Sequence, residues 1–217
     1  MGVHYSDELR ERIAARLGAF AAVRRTDTLG LKRAAVVVAV VALADQEQAI
    51  ARRRAGFLLT RRASTMRAHG GQLALPGGRI EDVESVEQAA LRELSEEVGI
   101  EVGPPAILGA LDDYPTRSGY LISPIVVWVP RGLVAKSNAA EVAEIYEIPL
   151  AELKRGDSPE FFAIPESDRL VIRLPVTQIA GYVNAPTAAV LYQFREVALE
   201  GRQTRVDHFD QPVWAWR

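Results

Sequence analysis

Leu9, Ile13, Leu17 and Phe20 recur at three- and four-residue spacing behind Ser6. The pattern predicts an amphipathic helix from Ser6 to about Phe20, with the serine as its cap. After a polar link over residues 24–28 comes an unbroken apolar run, AVVVAVVALA, at 35–44. It is about half the roughly 20 residues a membrane-spanning helix needs, and reads as a buried strand over 35–43. Residues 45–53 form a polar connection, and 56–60 a second strand. Residues 61–74, rich in Arg, Gly, Ser and Thr, predict an ordered surface loop where functional groups are displayed.

The strongest helical pattern spans Ser85 to Val98. Ser85 and Gln88 have the form of a capping box, Gly99 supplies the stop, and Ala90, Leu91, Leu94 and Val98 form one apolar face. Strands are expected at about 106–111 and 120–129, with a short helix or turn at 149–154. Further strands are expected at 160–164, 169–174 and 206–216, and a helix at 183–200 that includes Ala188, Leu191, Tyr192 and Arg195. Many strands with two or three helices between them indicate a mixed sheet covered by helices, an α/β class. No repeat, low-complexity tract or linker interrupts the 217 residues.

Composition narrows the chemistry. With 48% hydrophobic residues the chain can bury a full core without staples. Twenty-six basic and 28 acidic residues give a net charge of −2, which offers no basic excess to hold a nucleic-acid backbone. Cysteine is absent, which excludes disulfides, a thiol nucleophile and thiolate metal sites. Any metal must sit on oxygen or imidazole. The charged N-terminus lacks the pattern of a secretory signal, so a cytoplasmic protein with no membrane partner is the expectation.

Glu93, Glu96 and Glu97 fall within an arc of roughly 100° on the predicted helix, beside its apolar stripe. Taken alone, such a cluster is more often a solvated acidic face. Converging carboxylates, however, repel one another unless a cation neutralises them, and hard Mg²⁺ or Mn²⁺ takes oxygen ligands of this kind. Arg92 is placed to orient a carboxylate.

The surroundings decide between the two. Gly78, Glu84, Arg92, Glu93, Leu94, Glu96, Glu97, Gly99 and Ile100 fit G-x5-E-x7-R-E-U-x-E-E-x-G-U at every specified position, U being aliphatic. This resembles the Nudix hydrolase box. The resemblance implies an α/β/α sandwich in which the box forms a loop-helix-loop that binds divalent metals on a diphosphate. It assigns Glu93, Glu96 and Glu97 as metal-binding carboxylates, with a Gly78 backbone carbonyl beside them. Glu93 is base or ligand, Arg92 orients it, and Glu84 assists. Because the base lies outside the box in some members, Glu141 and Glu144 are further candidates.

Upstream, LLTRRASTMRAHGGQLALPGG at 58–78 is similar to the coenzyme A diphosphatase signature L-L-T-x-R-[SA]-x3-R-x3-G-x3-F-P-G-G, with Leu75 where the signature has Phe. YPTRSGYLISPIV at 114–126 and AEVAEIYEIPLAEL at 140–153 also look like this subfamily, whereas the C-terminal third departs from it. The 3′-phosphate of coenzyme A calls for fixed guanidiniums, which Arg62, Arg67 and, less strongly, Arg61 supply. Without the signature these arginines would read as solvating a loop. His69 in the same loop reads as structural, and His4 and His208 have no partners at metal-ligand spacing. Trp214 and Trp216 alternate at strand period and read as packing.

The resulting expectation is an N-terminal helical extension over 1–30 and a Nudix domain over 31–217. The domain would cleave coenzyme A or acyl-coenzyme A to 3′,5′-ADP and (acyl-)4′-phosphopantetheine with Mg²⁺ or Mn²⁺. Competing readings are a Nudix pyrophosphatase for ADP-ribose, dinucleotides or nucleoside triphosphates, and a non-catalytic nucleotide sensor. The oligomeric state, a homodimer among the options, is not fixed by the sequence.

Overall fold

Strand β1 (Lys32–Ala42) sends successive side chains to two separate cores, and this alternation sets the layers of the molecule. Ala35, Val37, Ala39 and Val41 pack with Ala89, Ala90, Leu94 and Val98 of helix α2 (Val86–Val98). Val38 and Val40 point the other way. There they join Leu9, Ile13 and Leu17 of α1 (Asp7–Ala19) and Ala188, Leu191 and Phe194 of α3 (Thr187–Phe194). A strand covered on both faces has no polar side to show, which is why its sequence is an unbroken apolar run. The computed structural model describes residues 2–28, 30–43, 53–64 and 70–215.

The central sheet is mixed. β1 pairs antiparallel with β2 (Ala55–Arg62) and parallel with β7 (Tyr120–Trp128), Lys32 lying opposite Tyr120 and Val40 opposite Trp128. β8 (Val142–Pro149) lies along the outer edge of β2, while β3 (Leu73–Ala74) pairs with Thr60 and Arg61 on the edge that β1 uses further back. Beyond β7 lie β5 (Ile107–Ala110) and β6 (Tyr114–Pro115), and β4 (Gly77–Arg79) pairs with the start of β1. A second, three-stranded antiparallel sheet is formed by β9 (Glu160–Ile164), β10 (Ser167–Val176) and β11 (Gly181–Asn184). The whole is an α/β/α sandwich, the expected architecture. Among the described residues, no helix is long and apolar enough to cross a membrane.

Helix α1 is built as its sequence implies. The Ser6 hydroxyl accepts from the Leu9 amide, and Leu9, Ile13 and Leu17 are buried. Tyr5, just before it, stacks on Trp128 of β7 with ring centroids 4.1 Å apart, and Arg16 donates to the carbonyl of Ala198 at 3.2 Å.

Four expectations are corrected. Residues 61–74 are strand at both ends, because β2 continues through Arg62 and β3 folds back on Thr60 and Arg61. Strand β8 was not anticipated: VAEIYEIP lies at the edge of the sheet with only Val142 and Ile148 fully buried, so its charged residues hide the strand period. The helix expected at 183–200 starts at Thr187, since Pro186 disfavours helical geometry in the residue before it and Tyr182–Asn184 pair with β10 instead. It ends in a π-helical turn, Arg195–Leu199. The strand expected at 206–216 is a looped segment with one bridge, Asp210 to Val171, and a 3-10 turn at Val213–Ala215. Side chains pin it in place of a ladder: Tyr114 Oη donates to the Phe209 carbonyl, and Arg117 pairs with Asp210 at 2.7 Å. The connection expected at 45–53 lies mostly outside the described residues.

Candidate active site

The capping box forms as written. Ser85 Oγ accepts from the Gln88 amide, Gln88 Oε1 accepts from the Ser85 amide, and Gly99 closes α2 in the left-handed region at φ 66°. With both ends fixed, and Ala90, Leu94 and Val98 locked against β1, the helix has one rotation about its axis. That rotation turns Glu93 and Glu97 inward and leaves Glu96 exposed.

Glycines make the inward position available. Glu97 Oε2 accepts the Gly77 amide at 3.0 Å. A Cβ on Gly77 would stand 2.3 Å from the Ala35 carbonyl, and one on Gly78 would stand 2.3 Å from Glu93 Oε1. The glycine pair therefore seats the loop against β1 on one side and the two carboxylates on the other.

Arg92 is the hub of the outer half. Its Nε donates to Glu84 Oε1 at 2.7 Å, and its Nη1 donates to Glu93 Oε1 and to Glu96 Oε2, both at 2.8 Å. Its Nη2 reaches the Arg79 carbonyl at 3.0 Å. These bonds hold the guanidinium in its charged form and keep the Glu84 carboxyl below its ordinary range. Arg92 so links helix and loop while fixing the direction of Glu93.

The inner carboxylates are poised differently. Burial pushes Glu97 up to about 7, against the opposing effects of the Gly77 amide and Arg62, whose Nη1 lies 3.4 Å from Glu97 Oε1. Burial also raises Glu93, against Arg92. Glu141 raises both through repulsion, so it stands close enough to share their electrostatic environment. Glu144 is engaged elsewhere: it accepts from the Tyr146 hydroxyl, which in turn accepts from Arg61 Nη2 at 2.6 Å.

Among the described residues no three His, Asp or Glu side chains form a ready-made metal cage, since Glu96 and Glu93 both turn to Arg92. The donor chemistry nevertheless suits a hard divalent cation. Glu93, Glu97 and Glu141 are all oxygen donors, two of them are destabilised as anions by burial, and Gly78 leaves backbone exposed beside them. A cation there would offset the burial that raises the two carboxyls.

Gly77 and Gly78, against which Glu97 and Glu93 are set, line a cleft of about 660 Å³ whose walls also include Arg61, Arg62, Leu75 and Arg79. Arg61 is held by Tyr146 and by the Gly71 carbonyl at 3.3 Å. Leu75, in the place of the signature phenylalanine, is 3% exposed and belongs to the core while lining this wall. Arg67 and His69 lie outside the described residues. Part of the cleft wall comes from the C-terminal third, which the motifs did not reach: Tyr182, Asn184, Thr187 and Trp214 line it. Trp214 is 55% exposed and sits in a turn, so the packing role expected from strand alternation is corrected; Trp216 is outside the described residues.

Comparison with known proteins bears on the family and the fold. The family model for the NUDIX domain matches residues 33–164. The chain is 47% identical over 97 residues to an uncharacterized Nudix hydrolase, NudL, of Photorhabdus laumondii, covering 44% of this chain and 52% of that one. It is 39% identical over 129 residues to NudL of Cronobacter sakazakii, covering 59% and 62%. The match thus spans between half and two thirds of these relatives' length. A MutT/nudix family protein from Enterococcus faecalis superposes with a TM-score of 0.54 at 13% identity, covering 90% of this chain and 75% of that one.

Proposed function

Since the chain belongs to the Nudix hydrolase family, whose members are pyrophosphohydrolases, we propose that it cleaves the diphosphate of coenzyme A or acyl-coenzyme A. The products are 3′,5′-ADP and (acyl-)4′-phosphopantetheine. The observation that carries this reading is the meeting of two motifs in one cleft: Arg61 and Arg62 line the same walls as Gly77 and Gly78, and Arg62 touches Glu97.

Glu93, Glu96, Glu97 and the Gly78 carbonyl would hold Mg²⁺ or Mn²⁺. Such a cation supplies positive charge for the diphosphate oxygens and lowers the pKa of water. The protein's own part is positioning. Arg92 holds Glu93 in one direction, and Glu84 holds Arg92. A carboxylate, Glu93 or its neighbour Glu141, accepts the proton of the attacking water. The water oxygen bonds to one phosphorus, the bridging P–O bond breaks, and the other phosphate leaves. Arg61 and Arg62, which line the cleft, would meet the phosphates, and Arg67 is assigned to them by the motif alone.

A second reading keeps the reaction and changes the substrate to ADP-ribose, a dinucleotide or a nucleoside triphosphate. It is favoured by the far wall of the cleft, which comes from residues beyond 164, outside the family match. Mass-resolved product analysis in ¹⁸O-water, with coenzyme A, ADP-ribose and a nucleotide panel, separates the two. Fastest release of 3′,5′-ADP and 4′-phosphopantetheine supports the first, and survival of coenzyme A while another diphosphate is cut supports the second. Ligand binding without metal-stimulated phosphate release would leave a sensor.

A further inference from the structure

The cleft walls carry two kinds of chemistry. Gly77 and Gly78 are accompanied by Arg61, Arg62 and Arg79. The same walls expose two large aromatic side chains, Tyr182 at 42% and Trp214 at 55%. An exposed aromatic is ordinary on its own, but two lining one concave wall are not.

Tyr182 is also fixed in place. The Arg173 guanidinium lies 3.9 Å from its ring centroid, and Glu160 Oε2 holds that guanidinium from Nε at 2.8 Å and Nη2 at 2.7 Å. One face of the ring is thus covered by a cation and the ring is held at a set angle, while the rest of it remains exposed along the cleft. Trp214 lines the same cleft as Tyr182.

Polar groups lie next to these rings. The Asn184 side-chain amide makes no hydrogen bond with any other described residue, although it lines the cleft. Thr187 is 8% exposed, and its hydroxyl likewise has no partner among the described residues. A flat ring with hydrogen-bonding edges satisfies all four side chains at once; a pantetheine arm has amides for the polar pair but no flat face to stack on the two rings.

We propose that Tyr182, Trp214, Asn184 and Thr187 form the nucleobase subsite, with the base stacked against the two rings and its polar edge met by Asn184 and Thr187. The subsite rests on the reading of the protein as a diphosphate hydrolase and fixes the orientation of its substrate. The nucleoside half lies toward the C-terminal third, and the other half extends away from it. Selectivity is therefore built by residues outside the matched NUDIX domain. Stacking on an aromatic side chain contributes about 1–3 kcal/mol per base, so removing one ring weakens binding about ten- to a hundredfold.

The test is fluorescence titration of the full chain, without metal, using 3′,5′-ADP and 4′-phosphopantetheine as separate probes. The expected result is saturable quenching of tryptophan emission by 3′,5′-ADP, absent in Trp214→Phe. Tyr182→Ala weakens it about ten- to a hundredfold, Tyr182→Phe retains it, and 4′-phosphopantetheine gives no quenching. Quenching by 4′-phosphopantetheine instead, or wild-type affinity in Tyr182→Ala, overturns the subsite. The choice of substrate fails separately. If coenzyme A is not cleaved but AMP quenches Trp214 in a Tyr182-dependent way, the subsite stands and coenzyme A falls. If Tyr182→Ala cleaves coenzyme A with unchanged KM, coenzyme A stands and the subsite falls.

Discussion

Gly78 and Glu93 are in such close apposition that a single methyl group on the glycine would stand 2.3 Å from the carboxylate oxygen. The constraint is steric, and it joins the loop before the helix to the residue that the box places at the centre of the chemistry. Gly78→Ala is expected to displace Glu93 and lower kcat by about a hundredfold or more, since small misplacements of catalytic groups have effects of that size. Steady-state kinetics beside a thermal melt would check it. A fall in kcat with an unchanged melting temperature is the expected pair of results.

Arg92 serves three carboxylates with one planar fork, a task that lysine cannot repeat. Arg92→Lys should therefore lose activity about ten- to a hundredfold, although charge is conserved. The metal concentration for half-maximal activity should rise with it. Unchanged metal dependence would mean that Arg92 does not position the ligands.

Glu97 gives the metal-free protein a definite pH dependence. Its folded-state pKa of about 7 lies above the ordinary 4.5, so the folded state holds a proton that the unfolded chain has already released. Its contribution favours folding most below pH 4.5 and is lost as the pH rises through 7. Glu93 is raised too and acts with the same sign. Glu97→Gln should remove the loss and stabilise the metal-free protein at pH 8 by on the order of 3 kcal/mol, while abolishing turnover. Denaturant melts at pH 5 and pH 8, with and without Mg²⁺, would show it. Mg²⁺ should stabilise the wild type more at the higher pH and Glu97→Gln little at either.

Arg62 has two neighbours to serve, Glu97 in the protein and a phosphate of the proposed substrate. Arg62→Ala is expected to raise KM for coenzyme A more than for dephospho-coenzyme A, by about tenfold. Equal effects on both would remove the 3′-phosphate from its role.

Ile13 of α1 is fully buried in the core shared with β1 and α3. Ile13→Ala should destabilise the whole protein by about 2–5 kcal/mol in one cooperative transition. A separate early transition would show that α1 unfolds independently.

What could be read from the sequence follows from how local each signal is. The capping box of α2, the Ser6 cap of α1 and the apolar run of β1 are written in adjacent residues, and the three carboxylates follow from helical spacing alone. The glycine pair was legible as part of a motif, but its contacts with Ala35 and Glu93 join distant segments and had no local signal. β8 was hidden because an edge strand needs only half an apolar pattern. The C-terminal part of the cleft wall was hidden for a related reason: Trp214 looks like a packing residue until the fold brings it into the same cleft as Tyr182.

The parallel register of β1 and β7, with Lys32 opposite Tyr120, also has a consequence in time. The glycine loop and α2 lie within the chain that this pairing closes into a loop, and the face on which α2 docks includes Ile125 and Val127 of β7 as well as β1. Closing so long a loop is the slow kind of step in folding. The chain can wind α2 early from its own caps, yet the helix has no complete surface to settle on until the distant strand arrives. Hydrolytic competence should therefore emerge at the end of folding, after most helical signal has returned.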